Sequence, residues 1–330
     1  MQDKMAEIGA GNWGTALAEL AASNGFNVDI YAFEKELVKD INEKNENTIF
    51  MPSMKLDKKI RAKTFDELKD IDTDNIIWVV PTQFSRKVAT ENKEYFEGKN
   101  ILIATKGIEI DTGDLIVQLL RSCFSANFSI LSGPSFAKEV ADKKPTAVSI
   151  ASEGESCAKW WQESLSTEYF RAYYTDDIPG VEVGGAIKNV LAIATGIADG
   201  LGFGYNARAG LITRGLAEMA RLGIRLGGKP ETLMGLSGMG DLVLTCTGDL
   251  SRNRTVGLKI AEGMTLDEIT GSMKMVAEGV YTTMAAKKLT EKLGVDAPII
   301  NEVFEILYLG KNPKESVISL MGRPLKSEKI

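Results

Sequence analysis

Residues 5 to 14 read MAEIGAGNWG, a pattern typical of a strand that enters a glycine-rich turn before a helix. A short apolar run leads into Gly9, Gly11 and Gly14, which satisfy the pattern GxGxxG, and TALAELAASNG follows with helical spacing. In such a turn the first glycine permits a tight bend, the second lets the backbone approach a pyrophosphate, and the third allows close helix packing. The helix N-terminus attracts the negative charge. The stretch therefore predicts a dinucleotide site, the alternative being a purely structural glycine turn.

The cofactor prediction also depends on Glu34, which follows the apolar run NVDIYAF, residues 27 to 33. Glu34 lies 20 residues beyond Gly14, where a carboxylate can bond both hydroxyls of an adenosine ribose. The same carboxylate repels the 2′-phosphate of NADP, and Phe33 offers that phosphate no positive charge. We expect NAD as the cofactor, with NADP possible.

The distribution of apolar runs predicts two domains. Candidate strands continue through NIIWVV (75 to 80), NILIA (100 to 104), FSIL (128 to 131) and TAVSIA (146 to 151), several of them apolar on both faces as in a parallel sheet. From about Val181 such runs nearly vanish, and stretches with helical spacing cover residues 182 to 198, 207 to 223, 253 to 262, 276 to 293 and 298 to 308. TDDIPG, residues 175 to 180, marks the boundary. We predict an α/β Rossmann-type, NAD-binding domain with a mostly parallel, doubly wound sheet over residues 1 to 180. An all-α domain should follow over residues 181 to 330.

Composition limits the partners of the chain. Its 330 residues carry 39 Lys and Arg against 45 Asp and Glu, so the net charge of -6 gives no overall attraction to nucleic acid or anionic lipid. The N-terminus lacks the features of a signal peptide, and we expect no apolar run that approaches the roughly 18 residues that a membrane span needs. Cys123, Cys157 and Cys246 are widely spaced, which fits reduced thiols and no structural metal. We expect a cytoplasmic protein.

The absence of histidine narrows the possible chemistry. An enzyme with this sequence must move protons with lysine, a carboxylate, tyrosine or water. Lys188, in GGAIKN, interrupts a stretch of small and apolar residues. Its ammonium group must find an anionic partner, lower its pKa or reach out to water, and the last of these would make it purely structural. Lys106 follows another strand, at the edge where open α/β sheets bind ligands; a solvated loop lysine is the alternative.

Two further segments offer polar groups. SRNR begins at Ser251 and supplies a hydroxyl, an amide, helix N–H groups and an arginine fork, which together suit a phosphate. Two arginines at a helix start oppose the helix dipole, which disfavours a purely structural role. The glycine-rich loop before SRNR carries Asp241. LSGPSFAKEVA, residues 131 to 141, is either a capped turn between strand and helix or a binding loop.

Six ordered motifs resemble the bacterial-type NAD(P)-dependent glycerol-3-phosphate dehydrogenases, from about residue 5 to 310. They are GAGNWGTALA, TKGIE, LSGPSFAKEVA, GGAIKNVLAIATGIADGLGFGYNARAGLITRGLAEM, GLSGMGDLVLTCTGDLSRNR and VAEGVYT. The resemblance implies a Rossmann domain joined to a helical domain that binds substrate and carries catalytic residues, residues 181 to 330, with the active site between the two domains. It also implies hydride transfer between dihydroxyacetone phosphate and sn-glycerol 3-phosphate, which supplies glycerol 3-phosphate for phospholipid synthesis.

The resemblance also implies the residues of the site. The catalytic group is Lys188, with Lys106 and Asp241. The substrate-binding positions are Lys106, Gly133, Ser135, Lys188, Asp241, Ser251, Arg252 and Asn253. The cofactor-binding positions are Gly9, Gly11, Asn12, Trp13, Gly14, Glu34, Lys106, Ala137, Arg252, Val276 and Glu278.

Two residues depart from the family pattern. Phe33 stands where the family usually carries arginine or histidine, which disfavours NADP. Glu7 stands in a first strand that is normally all apolar, so a carboxyl group must be accommodated there. Apolar helices in the second half of the chain suggest a homodimer. The alternatives are a hydroxyacid or 6-phosphogluconate-type dehydrogenase, and a catalytically inactive nicotinamide-binding sensor; SRNR and the GMGDL loop favour a phosphorylated triose.

Overall fold

A computed structural model describes residues 4 to 273, 275, 277 to 325, 327 and 328. The chain forms two compact units. The first holds the chain up to Thr105 together with Ile116–Ile178, and the second holds Lys106–Leu115 together with the chain from Pro179 onward. The short segment Lys106–Leu115 therefore belongs with the second unit, although it lies within the first half of the sequence.

The first unit is built on a twisted sheet whose described strands number eight. They are β1 (Lys4–Ile8), β2 (Asn27–Ala32), β3 (Ile60–Thr64), β4 (Asn75–Trp78), β5 (Asn100–Ile103), β6 (Asn127–Ser132), β7 (Thr146–Ser152) and β8 (Phe170–Thr175). Their order across the sheet is 3-2-1-4-5-6-7-8, and neighbours pair in parallel except β6 with β7. The predicted mostly parallel sheet is confirmed.

The helices of the first unit follow the strands. They are α1 (Asn12–Ser23), α2 (Lys35–Lys44), α3 (Thr82–Glu91), α4 (Lys93–Phe96), α5 (Ile116–Arg121), α6 (Ala137–Ala141) and α7 (Glu155–Leu165), with a 3₁₀ turn at Phe65–Asp70. Side chains of α1 that include Leu17, Leu20 and Ala21 are almost fully buried in the core over the sheet. The packing of α1 fixes the direction in which its N-terminus points, directly after the glycine-rich turn.

The second unit is helical in the part that the structure describes. It contains α8 (Ile178–Gly200), α9 (Gly204–Arg225), α10 (Pro230–Leu233), α11 (Asp241–Thr247), α12 (Arg252–Ala261), α13 (Leu266–Ser272), α14 (Glu278–Leu293), α15 (Pro298–Leu309) and α16 (Pro313–Met321), with a π turn at Leu236–Gly240. A Cβ on Gly196 of α8 would collide with the carbonyl oxygen of Arg254, and one on Gly257 of α12 would collide with the carbonyl oxygen of Ile193. Glycine at both positions therefore lets the backbones of α8 and α12 touch.

Helix α8 is long and apolar enough to cross a membrane by length and composition, with a mean hydropathy of 1.4 over its 18-residue window. The sequence expectation overlooked this segment because Glu182 and Lys188 interrupt its apolar residues. The whole window is buried inside the protein, which is typical of a core helix. Val183, Ile187 and Val190 of α8 are fully buried in the core of the second unit.

Candidate functional site

The glycine-rich turn of the first unit has the geometry that a pyrophosphate site requires. Gly9 has φ +116°, and a Cβ there would lie 2.8 Å from the carbonyl oxygen of Val79. A Cβ on Gly14 would collide with the Gly9 carbonyl, whereas one on Gly11 would meet no described atom within 4 Å. Gly11 precedes α1, and no side chain caps the first N–H groups of that helix. These N–H groups are suited to an anion that approaches at Gly11.

Asn47 holds the glycine-rich turn in shape, although sequence analysis did not single it out. Its side chain is fully buried, and its Nδ2 donates to the Ala10 carbonyl at 2.9 Å and to Thr15 Oγ1 at 2.6 Å. The Thr15 hydroxyl in turn donates to the Gly11 carbonyl at 2.8 Å. Asn47 lies 37 residues from Ala10 in the chain, so no local pattern marks the contact.

The other cofactor-site residues predicted on the first unit lie at the carboxyl ends of the strands or at helix starts. Glu34 follows β2 and is half-buried, and its carboxylate makes no hydrogen bond or ion pair within the described chain. Phe33 beside it is 80% exposed and contacts Phe65 edge-on, with ring centroids 6.3 Å apart. Trp13 donates from Nε1 to the Ala104 carbonyl at 3.2 Å, and Asn12 opens α1.

The loop after β6 brings Gly133, Ser135 and Ala137 together. Gly133 has φ +151°, and a Cβ there would lie 2.8 Å from the Cα of Val148, so the turn requires glycine. The Ser135 hydroxyl donates to the Gly133 carbonyl at 2.9 Å, and Ala137 begins α6. This hydrogen bond lies within the turn, and no side chain caps the start of α6, so it does not decide between the two interpretations of this segment. The Ser135 hydroxyl oxygen can still accept a hydrogen bond, so a ligand contact there is compatible with the bond to Gly133.

Lys106, Lys188 and Asp241 meet in the second unit. Lys188 Nζ lies 2.6 Å from Asp241 Oδ1, and Lys106 Nζ lies 2.6 Å from Asp241 Oδ2. The Asp241 side chain is 1% exposed, while the side chains of Lys188 and Lys106 are 10% and 14% exposed. One buried carboxylate therefore holds two ammonium groups side by side. We refer to these three residues as the lysine–aspartate cluster.

The surroundings of the lysine–aspartate cluster shift its proton equilibria. Burial lowers the pKa of Lys188 to about 8; the positive charge of Lys106 adds to this shift and Asp241 opposes it. Burial alone would raise the pKa of the Asp241 carboxyl, but the charges of Lys106 and Lys188 hold that pKa below its ordinary value. The cluster thus contains an ionised carboxylate beside an amine that can gain or lose a proton near neutral pH.

Thr245 completes the surroundings of Lys188. Its Oγ1 accepts a hydrogen bond from Lys188 Nζ at 3.1 Å and donates to the Asp241 carbonyl at 2.6 Å. Sequence analysis missed this residue. The signal was present, because Thr245 follows Asp241 by four residues and both lie in α11, where that spacing places them on one face.

The two arginines of SRNR have different surroundings. Arg254 pairs with Asp199 at 2.9 Å and with Asp249 at 3.0 Å. Arg252 is half-buried, and its guanidinium makes no hydrogen bond or ion pair with the residues that the structure describes. Burial lowers the pKa of Arg252 from its ordinary value, and Glu278 opposes this shift. Arg252 therefore has a guanidinium whose five N–H donors can serve a ligand.

Asn253 links three helices through its side chain. Its Nδ2 donates to Asn189 Oδ1 at 2.8 Å, and its Oδ1 accepts from the Gly279 N–H at 3.0 Å. Asn189 adjoins Lys188 in α8, and Gly279 adjoins Glu278 at the start of α14. These two bonds use one of the two Nδ2 hydrogens and one of the two Oδ1 lone pairs of Asn253. Ser251 caps α12 by accepting from the Arg254 N–H at 3.2 Å. Val276 lies outside the described residues.

Comparisons with known proteins place the chain in a family. The family model described as the NAD-dependent glycerol-3-phosphate dehydrogenase N-terminus matches residues 4 to 158, and the one described as its C-terminus matches residues 177 to 318. The chain belongs to this family. The glycerol-3-phosphate dehydrogenases (NAD(P)+) of Citrifermentans bemidjiense and of Geobacter sp. (strain M21) are 49% and 50% identical to it, with each pair aligned over all of both chains.

A solved structure extends the match to three dimensions. The glycerol-3-phosphate dehydrogenase of Coxiella burnetii superposes with a TM-score of 0.92 at 39% identity, covering 97% of this chain and 99% of that one. The resemblance drawn from the six motifs is thus confirmed, and with it the assignment of this glycerol-3-phosphate dehydrogenase family member to the NAD(P)-dependent oxidoreductases.

Proposed function

We propose that the chain is an NAD(P)-dependent sn-glycerol-3-phosphate dehydrogenase that interconverts dihydroxyacetone phosphate and sn-glycerol 3-phosphate. The lysine–aspartate cluster carries the proposal, because it combines a proton-exchanging amine with a second fixed positive charge. Arg252, in the same unit, adds a guanidinium that is suited to a phosphate. A triose phosphate has both a carbonyl oxygen and a phosphate for these groups to bind.

Lys188 acts as the proton donor in the reduction. The nicotinamide, when bound, supplies the hydride that adds to the carbonyl carbon. The carbonyl oxygen then gains negative charge, which an ammonium group stabilises more in the transition state than in the ground state. Lys188 Nζ gives its proton to that oxygen, and in the reverse direction the neutral amine removes the proton from the alcohol. A pKa of about 8 suits both roles near neutral pH.

Lys106 and Asp241 position Lys188 and tune it. Asp241 fixes the direction of both ammonium groups through its two oxygens. Lys106 keeps a positive charge beside the substrate oxygen while Lys188 gives up its own proton. Thr245 accepts a second hydrogen bond from Lys188 and so limits rotation of the ammonium group.

The phosphate of the substrate is bound by Arg252, with the Ser251 hydroxyl and the N–H groups that open α12. Arg254 is engaged by Asp199 and Asp249 and holds the helix start in place. Gly133 and Ser135 are further substrate-binding positions by motif correspondence. Asn253 follows Arg252 in α12, and Asn189 follows Lys188 in α8. The hydrogen bond between the two asparagine side chains therefore helps to fix the position of Arg252 relative to Lys188.

The dinucleotide is bound by the glycine-rich turn and Glu34. Gly11 is open to a pyrophosphate, and Glu34 follows β2, where a carboxylate accepts from ribose hydroxyls. The motif correspondence gives further cofactor contacts, which are Asn12, Trp13, Lys106, Ala137, Arg252, Val276 and Glu278. Phe33 and Glu34 together favour NAD over NADP.

The remaining assignments follow from sequence and family. We assign residues 1 to 180 as the NAD-binding domain and residues 181 to 330 as the helical, substrate-binding and catalytic domain. Some substrate-binding positions fall in the first range (Lys106, Gly133 and Ser135), and some cofactor-binding positions fall in the second (Arg252, Val276 and Glu278). The protein acts in the cytoplasm as a homodimer, and its product enters glycerophospholipid synthesis. Size-exclusion chromatography with light scattering tests the homodimer.

The experiment that tests the function is a coupled comparison of substrates and cofactors. Oxidation of NADH should depend on dihydroxyacetone phosphate, should proceed far more slowly with unphosphorylated dihydroxyacetone, and should be less efficient with NADPH. Binding of NADH without turnover of any triose phosphate would contradict the proposal and would favour the inactive sensor.

A further inference from the structure

Glu7 is a fully buried carboxyl group in the middle of the sheet of the first unit. It lies on β1, two residues before Gly9, in register with Ile30 of β2 on one side and Ile77 of β4 on the other. Both neighbours are fully buried apolar residues. The mechanism proposed above does not use Glu7.

The carboxyl of Glu7 lies against the first turn of α1. A Cβ built on Gly14 would collide with Glu7 Oε1, so the carboxyl occupies the space beside the third glycine of the turn. Neither carboxyl oxygen has a hydrogen-bond partner among the residues that the structure describes. This acid therefore lies beside the first turn of α1, the helix whose start would hold the pyrophosphate of a bound dinucleotide.

Among the described residues of β2, β4 and α1, none pairs with the Glu7 carboxyl. On β2, Asp29 and Tyr31 are in register with Ala6 and Ile8, so they lie on the opposite face of the sheet. Asp29 pairs there with Lys4 and Lys63.

The other two elements offer no partner either. The described strand β4 reads NIIW, and the charged residue of α1 is Glu19, which accepts from the Asp57 N–H. Burial raises the pKa of Glu7 well above its ordinary value. Glu7 is consequently a neutral acid over a wider pH range than an exposed glutamate.

We propose that Glu7 makes dinucleotide affinity fall as pH rises, because its ionised carboxylate would compete with the pyrophosphate for the start of α1. The inference rests on the proposed function, since it requires a dinucleotide at the glycine-rich turn. Negative charge at a helix start is favoured by the helix dipole, but two negative groups at one start repel each other in a medium of low dielectric constant.

The sign of the effect follows from linkage. Below its pKa in the free protein, Glu7 is protonated and neutral, so it does not repel the pyrophosphate. As pH rises through that pKa, the carboxylate forms and the Kd of the dinucleotide increases. Binding and protonation are reciprocal, so the dinucleotide also raises the pKa of Glu7. A total increase in Kd on the order of tenfold is expected across the titration, within the usual range of such couplings.

The test is a titration of the full-length protein with NADH and with ADP-ribose, between about pH 6 and pH 10, a window that lies above the ordinary pKa of glutamate. ADP-ribose carries the pyrophosphate without the nicotinamide, so its affinity does not depend on titration of a group that contacts the nicotinamide. The wild-type Kd should rise with pH for both ligands. Glu7→Gln and Glu7→Leu should remove that rise. Glu19→Gln, which changes the acid of α1 that accepts from the Asp57 N–H, should retain it.

Thermal unfolding of each variant at each pH shows whether it is folded. A wild-type Kd for ADP-ribose that stays flat with pH contradicts the proposal without any variant. A rise that persists unchanged in a folded Glu7→Gln protein contradicts it as well. Failure of every protein to bind either ligand at any pH would overturn the proposed function, and the inference with it.

Discussion

Lys188 Nζ and Asp241 Oδ1 lie 2.6 Å apart in the interior of the helical unit. The other oxygen of Asp241 receives Lys106 Nζ at the same distance. A single carboxylate between two ammonium groups leaves one net positive charge in a buried place. Such an arrangement is costly for stability alone, because taking three charges out of water carries a large desolvation penalty. The excess positive charge is useful where a substrate oxygen becomes negative.

Replacement of Asp241 by asparagine should affect stability and pH dependence together. The variant leaves two buried ammonium groups without a counter-charge, so the free energy of unfolding should fall by about 3 kcal/mol. The pKa of Lys188 should fall further, because the attraction that opposes its shift is lost. The rate of reduction, which requires the ammonium form, should then decline at lower pH than in the wild type. Chemical denaturation and the pH profile of kcat measure the two effects.

Asp249 provides the control for that variant, because it is an acid of the same unit whose side chain is 95% exposed and paired with Arg254. Asp249→Asn should change the free energy of unfolding by less than about 1 kcal/mol. Its pH profile should match the wild type. Equal behaviour of the two variants would mean that the buried position of Asp241 has no special role.

Alanine variants of Arg252 and Arg254 should have different effects, because Arg252 is proposed to bind the substrate phosphate and Arg254 pairs with acidic residues of the protein. Arg252→Ala should raise the KM for dihydroxyacetone phosphate at least about 30-fold, because it removes a charged partner from the phosphate. The KM for unphosphorylated dihydroxyacetone should change little. Arg254→Ala should lower the melting temperature instead, since it leaves the buried Asp199 with only Arg208. The relevant quantity is the KM for dihydroxyacetone phosphate divided by the KM for unphosphorylated dihydroxyacetone. If this ratio changed as much in Arg254→Ala as in Arg252→Ala, the assignment of the phosphate site would be contradicted.

Glu218 should make the stability of the protein depend on pH. Its side chain is buried in α9 and accepts from the N–H groups of Ile299 and Ile300 at 2.8 and 3.1 Å. Burial raises its pKa to about 7, while the two hydrogen bonds act in the opposite direction. The native state therefore holds this proton between the unfolded pKa near 4.5 and a pH of about 7. Stability attributable to Glu218 is present below that window and should fall by about 3 kcal/mol as pH rises through it.

Urea denaturation at a series of pH values measures this contribution. The Glu218→Gln variant should lack the decline, so the difference between wild type and variant should change across the window and level off above it. Glu291→Gln, a change at an exposed acid paired with Lys287, should follow the wild type. A wild-type profile parallel to that of Glu218→Gln would show that Glu218 does not titrate in this window.

Sequence patterns predicted the interior of the sheet but not its edges. The runs that became β4 and β5 are apolar on both faces, because neighbours cover them on both sides, and the run that became β1 is apolar apart from Lys4 and Glu7. Edge strands β3 and β8 alternate buried and exposed residues over IRAKT and FRAYYT, so they carry no continuous apolar run. The sheet as predicted therefore lacked both outer strands.

The site was predictable where a motif carries the chemistry locally. Lys188, Asp241 and the glycine-rich turn stand out because their residue types are unusual for their surroundings. Asn47 and Asn189 act through contacts with residues 37 and 64 positions away, and a single sequence gives no sign of such distances. Spacing also could not distinguish Arg252 from Arg254, whose roles depend on the positions of Asp199 and Asp249.

The most direct test of the central claim is the rate of dihydroxyacetone phosphate reduction by Lys188→Met, measured in parallel with NADH binding. Methionine preserves the length of the side chain and removes the proton donor. We predict a fall in kcat of about 10³, an unchanged Kd for NADH, and loss of the decline in rate that the wild type should show above about pH 8. A variant that kept the wild-type kcat and pH profile would show that Lys188 does not supply the proton.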